Sequence, residues 1–458
     1  MDGITPGTKQ GDMQPCGPDH FPAFPEGFPE RMRELLGDEY PDFLSSYSDP
    51  PVRSLKINTL RKPEGFSPSF VLEDPEAVTW EDEAWYIGEG ERPGLDPLHM
   101  AGAYYIQEAS AMRVVPELDV RPGMRVLDLC AAPGGKSVQT AMRLRGEGLL
   151  VSAEPVPARA KVLAQNIERM GIWNACVLNA GPDEVCPGFP GFFDRVLVDA
   201  PCSGEGMFRK NPEAMGEWSV DNVRMCAERQ RAILEQAVKA LKPGGRLVYS
   251  TCTYEREEDE EQALWLSSAT ELELVGEGRI MPHRQRGEGQ YFAAFEFREK
   301  GEREKSFEPY IPHEGSEGDP AVIRKTLDLI NENLAKPLPR GRIVCSQKGN
   351  HVYLSPVGAG MLKGLRVQRE GLPLVDVDKY GRYNLSHSLA MFLRPGDTLR
   401  SYEMNPDEAR AFLHGDVVRG VEKGNDGMTL MCFRGFSMGW GSKKGNIIKN
   451  HLPKGLRT

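Results

Sequence analysis

The chain has 458 residues and a formal net charge of −11, with 27% charged and 40% hydrophobic residues. This length predicts two to four domains, and this composition is typical of soluble globular proteins. The sequence has no apolar run of roughly 18 residues, which argues against a membrane-spanning helix, and the net charge argues against indiscriminate binding to polyanions. Nine scattered cysteines without a CxxC pair argue against a disulfide framework or a zinc site.

The first 20 residues are polar and contain glycine and proline, without the basic and apolar regions of a secretory signal. We therefore expect residues 1–20 to be disordered and the protein to be cytoplasmic. A predicted N-terminal region follows at 21–112. Its elements are two short helices within 21–50, a strand in 51–61, and a strand that leads into a helix in 102–112. The first of these strands carries Arg53, Lys56 and Arg61, for which a solvated face is as good an explanation as a functional one.

Residues 113–300 alternate strand and helix patterns, which predicts a parallel sheet with helices on both faces. The predicted strands are 125–129, 149–153, 175–178, 194–198, 246–250 and 291–297, and the predicted helices are 136–145, 156–170 and 219–241. In such sheets, ligands bind outside the carboxyl ends of the strands. The loops that follow these strands are therefore the expected place for a site.

A turn of small residues joins the first of these strands to its helix. Gly134 and Gly135 allow the backbone to approach a ligand closely, and the following helix N-terminus favours polar or anionic groups. The spacing fits neither the dinucleotide motif nor the phosphate-binding P-loop. The turn predicts a nucleoside-like cofactor, and a purely structural strand–helix turn is the alternative. The candidate cofactor-binding residues here are Cys130, Ala131, Ala132, Pro133, Gly134, Gly135 and Lys136.

Glu154 ends the second strand, about 20 residues after the turn, where an acid can accept hydrogen bonds from both ribose hydroxyls of a cofactor. An acid that caps the next helix is the alternative. Because no phosphate-binding motif accompanies the turn, a nucleoside without phosphates fits better than a dinucleotide. S-adenosylmethionine is the candidate cofactor.

Two cysteines follow strands of the same predicted sheet. Cys202 lies in DAPCSGEG and Cys252 in STCTYE. A single cysteine at such a position is most often a small buried hydrophobe, but two beside a cofactor cleft favour chemistry. A thiolate that adds to carbon 6 of cytosine makes carbon 5 nucleophilic towards a methyl donor, and a base must then remove the carbon-5 proton. Asp199 and Lys136 are candidates for polarising the ring.

The segment after Cys252 is strongly acidic, with six acids between residues 255 and 261. Acidic side chains are favourable at a helix N-terminus. We therefore expect a helix to follow Thr253 directly.

Beyond a predicted linker at 301–320, residues 321–393 predict an accessory α+β domain with helices at 321–334 and 385–393. Residues 394–458 predict short strands. The segment after Asp426 contains no acid, and it contains the cations Arg434, Lys443, Lys444, Lys449, Lys454 and Arg457, interleaved with Phe433, Phe436, Trp440 and His451. This pattern favours a nucleic-acid contact over a merely charged tail.

The motifs LDLCAAPGGKS (127–137), VLVDAPCSGEGMFRK (196–210) and YSTCTYE (249–255) resemble, in order and spacing, those of the NOP/Sun family of RNA cytosine-5 methyltransferases. GQYFAAFEF (289–297) resembles that family's closing strand. The resemblance covers roughly residues 25–300. It extends more loosely through NLSHSLA (384–390) and GFSMGWGSKKGNIIKNHLPKGLR (435–457), which resemble the bacterial small-subunit ribosomal RNA branch.

The resemblance implies a Rossmann-like α/β S-adenosylmethionine-dependent methyltransferase domain at 113–300. It also implies a small RNA-binding region at 21–112 and a PUA-like RNA-binding domain at 394–458. By resemblance, Cys252 is the nucleophile, Cys202 assists proton removal and product release, and Asp199 lies at both cofactor and target base. The residues alone leave the roles of the two cysteines open, since DNA cytosine methyltransferases use the cysteine of the Pro-Cys motif as nucleophile.

One departure from the family concerns the adenine contact. The family carries an acid after the third strand, whereas this chain has VLNAGPDEV (177–185). Asn179 is the candidate replacement, unless Asp183 reaches back. The implied substrate is 16S ribosomal RNA or the small ribosomal subunit, with no metal and no membrane partner. The alternatives are a transfer RNA cytosine-5 methyltransferase and a non-catalytic RNA-binding assembly factor.

Overall fold

The structure, a computed structural model, describes residues 24–297, 307–346, 350–422 and 424–458. The segment predicted to be disordered, 1–20, lies outside these residues. The described chain forms four β-sheets, of which an eight-stranded sheet is the largest. No helix in these four stretches has the length and hydropathy needed to cross a bilayer.

The N-terminal region is a small antiparallel sheet with short helices around it. Its strands lie in the order β2-β3-β1-β4. The strands are β1 Ser54–Ile57, β2 Glu76–Ala77, β3 Ala84–Tyr86 and β4 Tyr104–Ile106, and the helices are α1 Phe28–Leu36, α2 Tyr40–Ser46, α3 Pro97–Met100, α4 Ala109–Met112 and α5 Val114–Glu117. The two early helices, the strand and the strand–helix unit predicted for this region are all present.

The central sheet contains five parallel strands in the order β9-β8-β5-β6-β7 and continues through antiparallel β11 and β10. Its strands are β5 Arg125–Leu129, β6 Leu149–Ala153, β7 Ala175–Leu178, β8 Phe193–Asp199, β9 Leu241–Thr251, β10 Leu272–Ile280 and β11 Gln290–Phe297. Its helices are α6 Gly135–Leu144, α7 Pro157–Arg169, α8 Pro182–Val185, α9 Val220–Ala240 and α10 Glu260–Ala269. The predicted Rossmann-like fold is confirmed.

Helices cover both faces of this sheet because alternate residues of each strand point to opposite sides. In β5, Leu127 and Leu129 join one core, which includes Leu234 of α9. Val126 joins the other core, which includes Val138 of α6. The buried strands therefore read as continuous apolar runs, and this made them predictable.

Two predictions for this domain differ from the structure. The helix predicted to follow Thr253 begins later than expected, because α10 starts at Glu260 and only Glu260 and Glu261 of the acidic segment lie in its first turn. Glu255, Glu258 and Asp259 are instead buried in the preceding loop. Strand β10 was not predicted, since only its terminal residues, Leu272 and Ile280, are buried and glycines interrupt its apolar residues.

The C-terminal half contributes two five-stranded sheets, ordered β12-β13-β14-β16-β17 and β18-β20-β21-β22-β19. The strands are β12 Gly315–Glu317, β13 Arg342–Cys345, β14 His351–Ser355, β15 Val367–Glu370, β16 Leu372–Val377, β17 Tyr383–Leu385, β18 Ser401–Glu403, β19 Val418–Arg419, β20 Gly427–Phe433, β21 Phe436–Lys444 and β22 Ile447–Asn450. The helices are α11 Pro320–Asn331, α12 His387–Phe392 and α13 Pro406–His414.

The C-terminal half is built into the rest of the molecule. Strand β15 pairs antiparallel with β7 and completes the central sheet. Part of the predicted linker also packs: Tyr310 donates its backbone N–H to Gly123 and its hydroxyl to Pro356, at 2.8 Å each. The segments between the predicted domain limits are therefore not separate in the folded chain, because they share a sheet and pack against each other.

The N-terminal sheet and the C-terminal sheet share one hydrophobic core, in which Leu55 and Ile57 of β1 join Phe412 and Met431. Arg61 crosses this interface and donates to Ala101 O at 2.8 Å and Ser437 O at 3.0 Å. Burial lowers the pKa of Arg61 to about 9. Neither Arg61 nor Lys56, which pairs with Glu81, lies on the solvated face considered for this strand.

The aromatic side chains of the C-terminal segment correct another expectation. Phe433, Phe436 and Trp440 are buried, and they belong to the hydrophobic cores of the C-terminal sheets. They are therefore not available to stack on bases. His451 and most of the predicted cations are exposed, namely Arg434, Lys444, Lys449, Lys454 and Arg457. What remains of the predicted nucleic-acid surface is its charge.

Candidate active site

The turn after β5 has a conformation that only a few residue types tolerate. Cys130 has a φ of 63° and Gly134 a φ of 118°, and the Ala132–Pro133 peptide bond is cis. The path is held by hydrogen bonds to its backbone: Ala131 N–H donates to Ala153 O at 2.9 Å, and Arg159 donates to Ala132 O at 2.9 Å. The turn is thus held to strand β6 and helix α7.

The two glycines leave little room for a side chain. A Cβ at Gly134 would lie 3.0 Å from Leu163 Cδ1, and one at Gly135 would lie 3.0 Å from Gln107 Cδ. The positive φ of Gly134 adds backbone strain for any other residue. The glycines therefore allow the turn to pack closely against Leu163 and Gln107, and their approach to a ligand stays a prediction.

A cleft of about 200 Å³ opens beside this turn at the carboxyl end of the sheet. It brings together predicted residues of the turn, Lys136 and Asp199 with several that sequence reasoning missed. The missed lining residues are Tyr105, Ile106, Gln107, Glu108, Ala111, Asp128 and Lys210. Residues 105–111 belong to β4, α4 and the link between them, which precede the α/β domain in sequence, so strand-end reasoning within that domain had no reason to select them.

Two buried carboxylates near the turn have an oxygen without a hydrogen-bond partner among the described residues. Asp128 accepts from Ser137 Oγ at 2.5 Å through Oδ2, whereas its Oδ1 has no partner. Glu154 is 1% exposed and accepts from Val156 N–H at 2.9 Å through Oε1, whereas its Oε2 accepts no hydrogen bond. The Nη1 atom of Arg159 lies 3.5 Å from that oxygen. Buried polar atoms are usually satisfied, so these oxygens are suited to accept hydrogen bonds from a ligand.

Lys136 opens helix α6 and reaches the end of β8, where its Nζ lies 2.8 Å from Asp199 Oδ2. Burial opposes its charged form, but the negative charges of Asp199, Cys252 and Asp128 outweigh burial and raise the pKa of Lys136. Asp199 also accepts from Ser250 Oγ at 2.8 Å. The lysine is therefore a fixed cation between the cleft and the cysteines.

Cys202 and Cys252 come together because their strands are neighbours. β8 pairs in parallel with β9, with Asp199 opposite Ser250, so both chains leave the sheet at the same level. The two Sγ atoms lie 3.2 Å apart, and Cys252 N–H donates to Cys202 Sγ at 3.3 Å. The hydrogen bond with Cys252, followed by burial, raises the pKa of Cys202 well above its usual range. The contact with Cys252 and burial therefore both disfavour the thiolate of Cys202.

The side-chain N–H groups of Asn179 are already used in hydrogen bonds within the protein. Its Nδ2 donates to Glu154 O at 3.0 Å and Pro155 O at 2.9 Å, and its backbone carbonyl oxygen accepts from Arg366 Nε at 3.0 Å. Its side-chain donors thus tie the end of β7 to the end of β6. Its Oδ1 accepts none of these hydrogen bonds.

Comparisons with known proteins agree with this geometry along the described chain. Family models match residues 115–296 (16S rRNA methyltransferase RsmB/F), 24–109 (N-terminal domain of 16S rRNA methyltransferase RsmF), 331–393 (RsmF rRNA methyltransferase first C-terminal domain) and 400–458 (methyltransferase RsmF PUA domain). The accessory and PUA-type segments predicted from sequence correspond to two of these models.

Two curated relatives are named ribosomal RNA small subunit methyltransferase F. The one from Vibrio cholerae is 33% identical over 95% of this chain and 98% of its own length. The one from Escherichia coli (strain SMS-3-5) is 31% identical over 95% and 97%.

Among solved structures, a methyltransferase homologue from Pyrococcus horikoshii is 26% identical, with a TM-score of 0.52 over 58% of this chain and 93% of its own. NSun6 from Pyrococcus horikoshii shares the fold, at 19% identity and a TM-score of 0.53 over 60% and 98%. From the site geometry, the matched segments and relatives aligned along nearly their whole length, we conclude that the chain belongs to the 16S rRNA methyltransferase RsmB/F family.

Proposed function

We propose that the protein transfers a methyl group from S-adenosylmethionine to carbon 5 of a cytosine in 16S ribosomal RNA, through a covalent bond between Cys252 and carbon 6. The observation that carries this proposal is the contact between Cys202 and Cys252, 3.2 Å between Sγ atoms, beside the Lys136–Asp199 pair. Two cysteines at adjoining strand ends supply both a nucleophile and a proton acceptor.

The chain's own residues fit the proposed cofactor. The unpartnered oxygens of Asp128 and Glu154 suit an ammonium group and ribose hydroxyls, all of which are hydrogen-bond donors. The turn Cys130–Lys136 leaves little space for Cβ atoms at its glycines, and we assign it, together with Glu154, Asp199 and Asn179, to cofactor binding. When bound, the cofactor supplies an electrophilic methyl group.

The electrostatics of the pair favour the roles that the family resemblance implies. The positive charge of Lys136 interacts with Cys252, while the contact with Cys252 and burial keep the pKa of Cys202 high. Bond formation between Cys252 Sγ and carbon 6 removes the negative charge from Cys252. The strongest influence that raises the pKa of Cys202, its contact with Cys252, is then lost. Cys202, which is partly exposed, releases its proton to water and then accepts the carbon-5 proton as a thiolate. Departure of Cys252 from carbon 6 then restores the ring.

The test uses a strain without this gene, complemented with variants, and measures 5-methylcytosine in purified 16S and transfer RNA by mass spectrometry. Cys252→Ala should abolish the modification, and Cys202→Ala should accumulate a covalent protein–RNA adduct that resists denaturing electrophoresis. Cys345→Ala, a buried cysteine of the accessory sheet, is the control and should behave as wild type.

Each other outcome is informative. An adduct with Cys252→Ala rather than Cys202→Ala reverses the roles of the cysteines. Loss of 5-methylcytosine from transfer RNA alone makes the protein a transfer RNA enzyme. Unchanged 5-methylcytosine in every RNA, with normal ribosome assembly restored by Cys252→Ala, would favour a non-catalytic assembly factor.

A further inference from the structure

Two buried carboxyl groups lie directly behind the cysteine pair, and the mechanism above does not use them. Glu205 follows Cys202 in the loop after β8, and Glu258 lies in the loop between Cys252 and α10; both side chains are fully buried. Neither forms an ion pair with a residue that the structure describes. A buried carboxylate without a cation is costly unless hydrogen bonds replace water, and such a group often keeps its proton.

Ser203 connects the two carboxyl groups. Its Oγ lies 2.9 Å from both Glu205 oxygens and in hydrogen-bond contact with Glu258 Oε1. Its backbone N–H donates to Glu258 Oε2 at 3.2 Å. A serine hydroxyl has one proton, so it can donate to only one of the two carboxyl groups. The other contact requires a proton on a carboxyl group.

The donors favour the charge on Glu205. Glu205 accepts from the indole N–H of Trp218 and from the hydroxyl of Thr253. Burial raises the pKa of Glu205, but these two donors, Ser203 and a backbone N–H all act to lower it, which is one donor more than Glu258 has. Glu258 accepts hydrogen bonds from the side-chain amide of Gln230 at 2.6 Å and from the backbone N–H of Ser203. If Ser203 donates its hydroxyl proton to Glu205, the contact between Glu258 and Ser203 Oγ needs a proton from Glu258.

We propose that Glu258 is a neutral positioning residue. It donates its carboxyl proton to Ser203, while Ser203 donates to ionised Glu205. These hydrogen bonds hold the Cys202 loop against the Cys252 loop. Gln230 completes the clamp, because its amide also donates to Pro201 O at 3.1 Å. Thr253, next to Cys252, joins the same network through Glu205, so one chain of hydrogen bonds spans both cysteine loops.

The neutrality of Glu258 matters for Cys202. A negative charge on Glu258 raises the pKa of Cys202 and therefore opposes the ionisation that proton acceptance requires. This part of the inference rests on the proposed function. Burial raises the pKa of Glu258 to about 8, which is consistent with a group that is neutral at physiological pH.

The charged and titratable groups around Glu258 come from several elements. They are Cys202 and Glu205 of the first loop, Cys226 of α9, Tyr249 of β9, Glu255, which pairs with Arg31, and Asp259, which pairs with Arg279. Glu255 and Asp259 each have their own cation, whereas Glu258 and Glu205 have only hydrogen bonds. The shared proton is therefore specific to this pair.

The first test compares two isosteric substitutions by thermal unfolding. At about pH 4.5, the lower end of the range in the second test, Glu258→Gln replaces a neutral acid by a neutral amide and should unfold close to the control Glu261→Gln, which alters an exposed glutamate on α10. Glu205→Gln removes the carboxylate that three donors face and should unfold at a temperature lower by roughly 5 °C. If Glu258→Gln is the strongly destabilised variant and Glu205→Gln is tolerated, the proton lies on Glu205 and the proposal is wrong.

The second test uses pH. Because the pKa of Glu258 is higher in the folded than in the unfolded chain, ionisation destabilises the fold as pH rises from about 4.5 to about 8. The melting temperature of Glu258→Gln relative to wild type should therefore increase across this range, whereas that of Glu261→Gln should not. A constant difference would overturn the proposal. Neither melting experiment depends on methylation, so both stay decisive if the proposed function fails.

The third test separates positioning from simple support of the fold. The single-turnover rate of RNA methylation should fall above about pH 8 in wild type, as Glu258 ionises beside Cys202. In Glu258→Gln this alkaline decrease should disappear, while Glu261→Gln should keep it. Identical pH profiles for wild type and Glu258→Gln would remove the positioning role.

Discussion

A buried bridge between the N-terminal region and the methyltransferase domain makes a quantitative prediction. Glu81 Oε1 lies 2.5 Å from Lys56 Nζ, and its Oε2 accepts from Arg143 at 2.6 Å. Lys56 belongs to β1 and Arg143 to α6, so one carboxylate joins the two parts of the chain. The Lys56 and Glu81 side chains are 4% and 2% exposed, and that of Arg143 is 29% exposed.

The perturbation is Glu81→Gln. This substitution removes the negative charge between Lys56 and Arg143. Burial lowers the pKa of Lys56, and in the wild type the charge of Glu81 counteracts this effect. Breaking a buried pair by removing one partner costs about 3–5 kcal/mol, and the partial exposure of Arg143 favours a value of about 3 kcal/mol. The matched control is Glu76→Gln, which removes an exposed pair with Arg286 across the same two regions and should cost less than about 1 kcal/mol.

The assay is urea unfolding of wild type, both single variants and the double variant Glu81→Gln/Lys56→Met. The double variant should be more stable than Glu81→Gln alone, because it removes the unpaired buried cation. Equal effects of Glu81→Gln and Glu76→Gln, or a double variant no more stable than Glu81→Gln, would show that the bridge does not act as the structure implies.

Three further outcomes are expected. Glu154→Gln should weaken binding of S-adenosylhomocysteine, measured by calorimetry, by roughly 10-fold or more, since it alters a carboxylate with an oxygen free for a ligand; unchanged affinity would remove Glu154 from the cofactor site. Burial raises the pKa of Asp128 to about 7, so its ionisation destabilises the fold as pH rises from about 4 to about 7, and Asp128→Asn should gain melting temperature relative to wild type over that range. Arg61→Lys should expose the C-terminal sheet to limited proteolysis, because a lysine cannot make both the Ala101 and Ser437 contacts; a digestion pattern like that of wild type would contradict this.

Much of the site was predictable because its residues follow strands of one parallel sheet. Cys202 and Cys252 each come directly after an apolar run, and parallel strands end at the same edge. Their approach to 3.2 Å needed only β8 and β9 to be neighbours. Lys136 was predictable as the residue that opens the helix after the glycine turn, but its pairing with Asp199 depends on the order of strands in the sheet.

The acids after Cys252 show where sequence reasoning failed. A run of acidic residues is usually a solvated helix start, and nothing in the run distinguishes Glu258 from Glu261. Glu258 is buried because Ser203 and Gln230, 55 and 28 residues away in the chain, supply its hydrogen bonds. A local pattern contains no information on such partners.

The same reason explains the aromatic residues near the C-terminus and the cations of β1. Phe436 and Trp440 looked like stacking residues beside lysines, but they face the cores of the C-terminal sheets. For Lys56 and Arg61 a solvated face and a functional role were equally good explanations, but both side chains are buried, with Glu81 and the carbonyl groups of other segments as partners.

The sequence by itself determined the order of the parallel strands and of their longer helices in the methyltransferase domain, the turn of small residues after β5, and the two cysteines, because each depends on neighbours along the chain and on apolar periodicity. Only the tertiary structure decided which polar residues are buried, which of them share hydrogen bonds, and that strand β15 completes the central sheet. Those properties depend on the groups that replace water around a side chain, and these groups come from distant parts of the sequence.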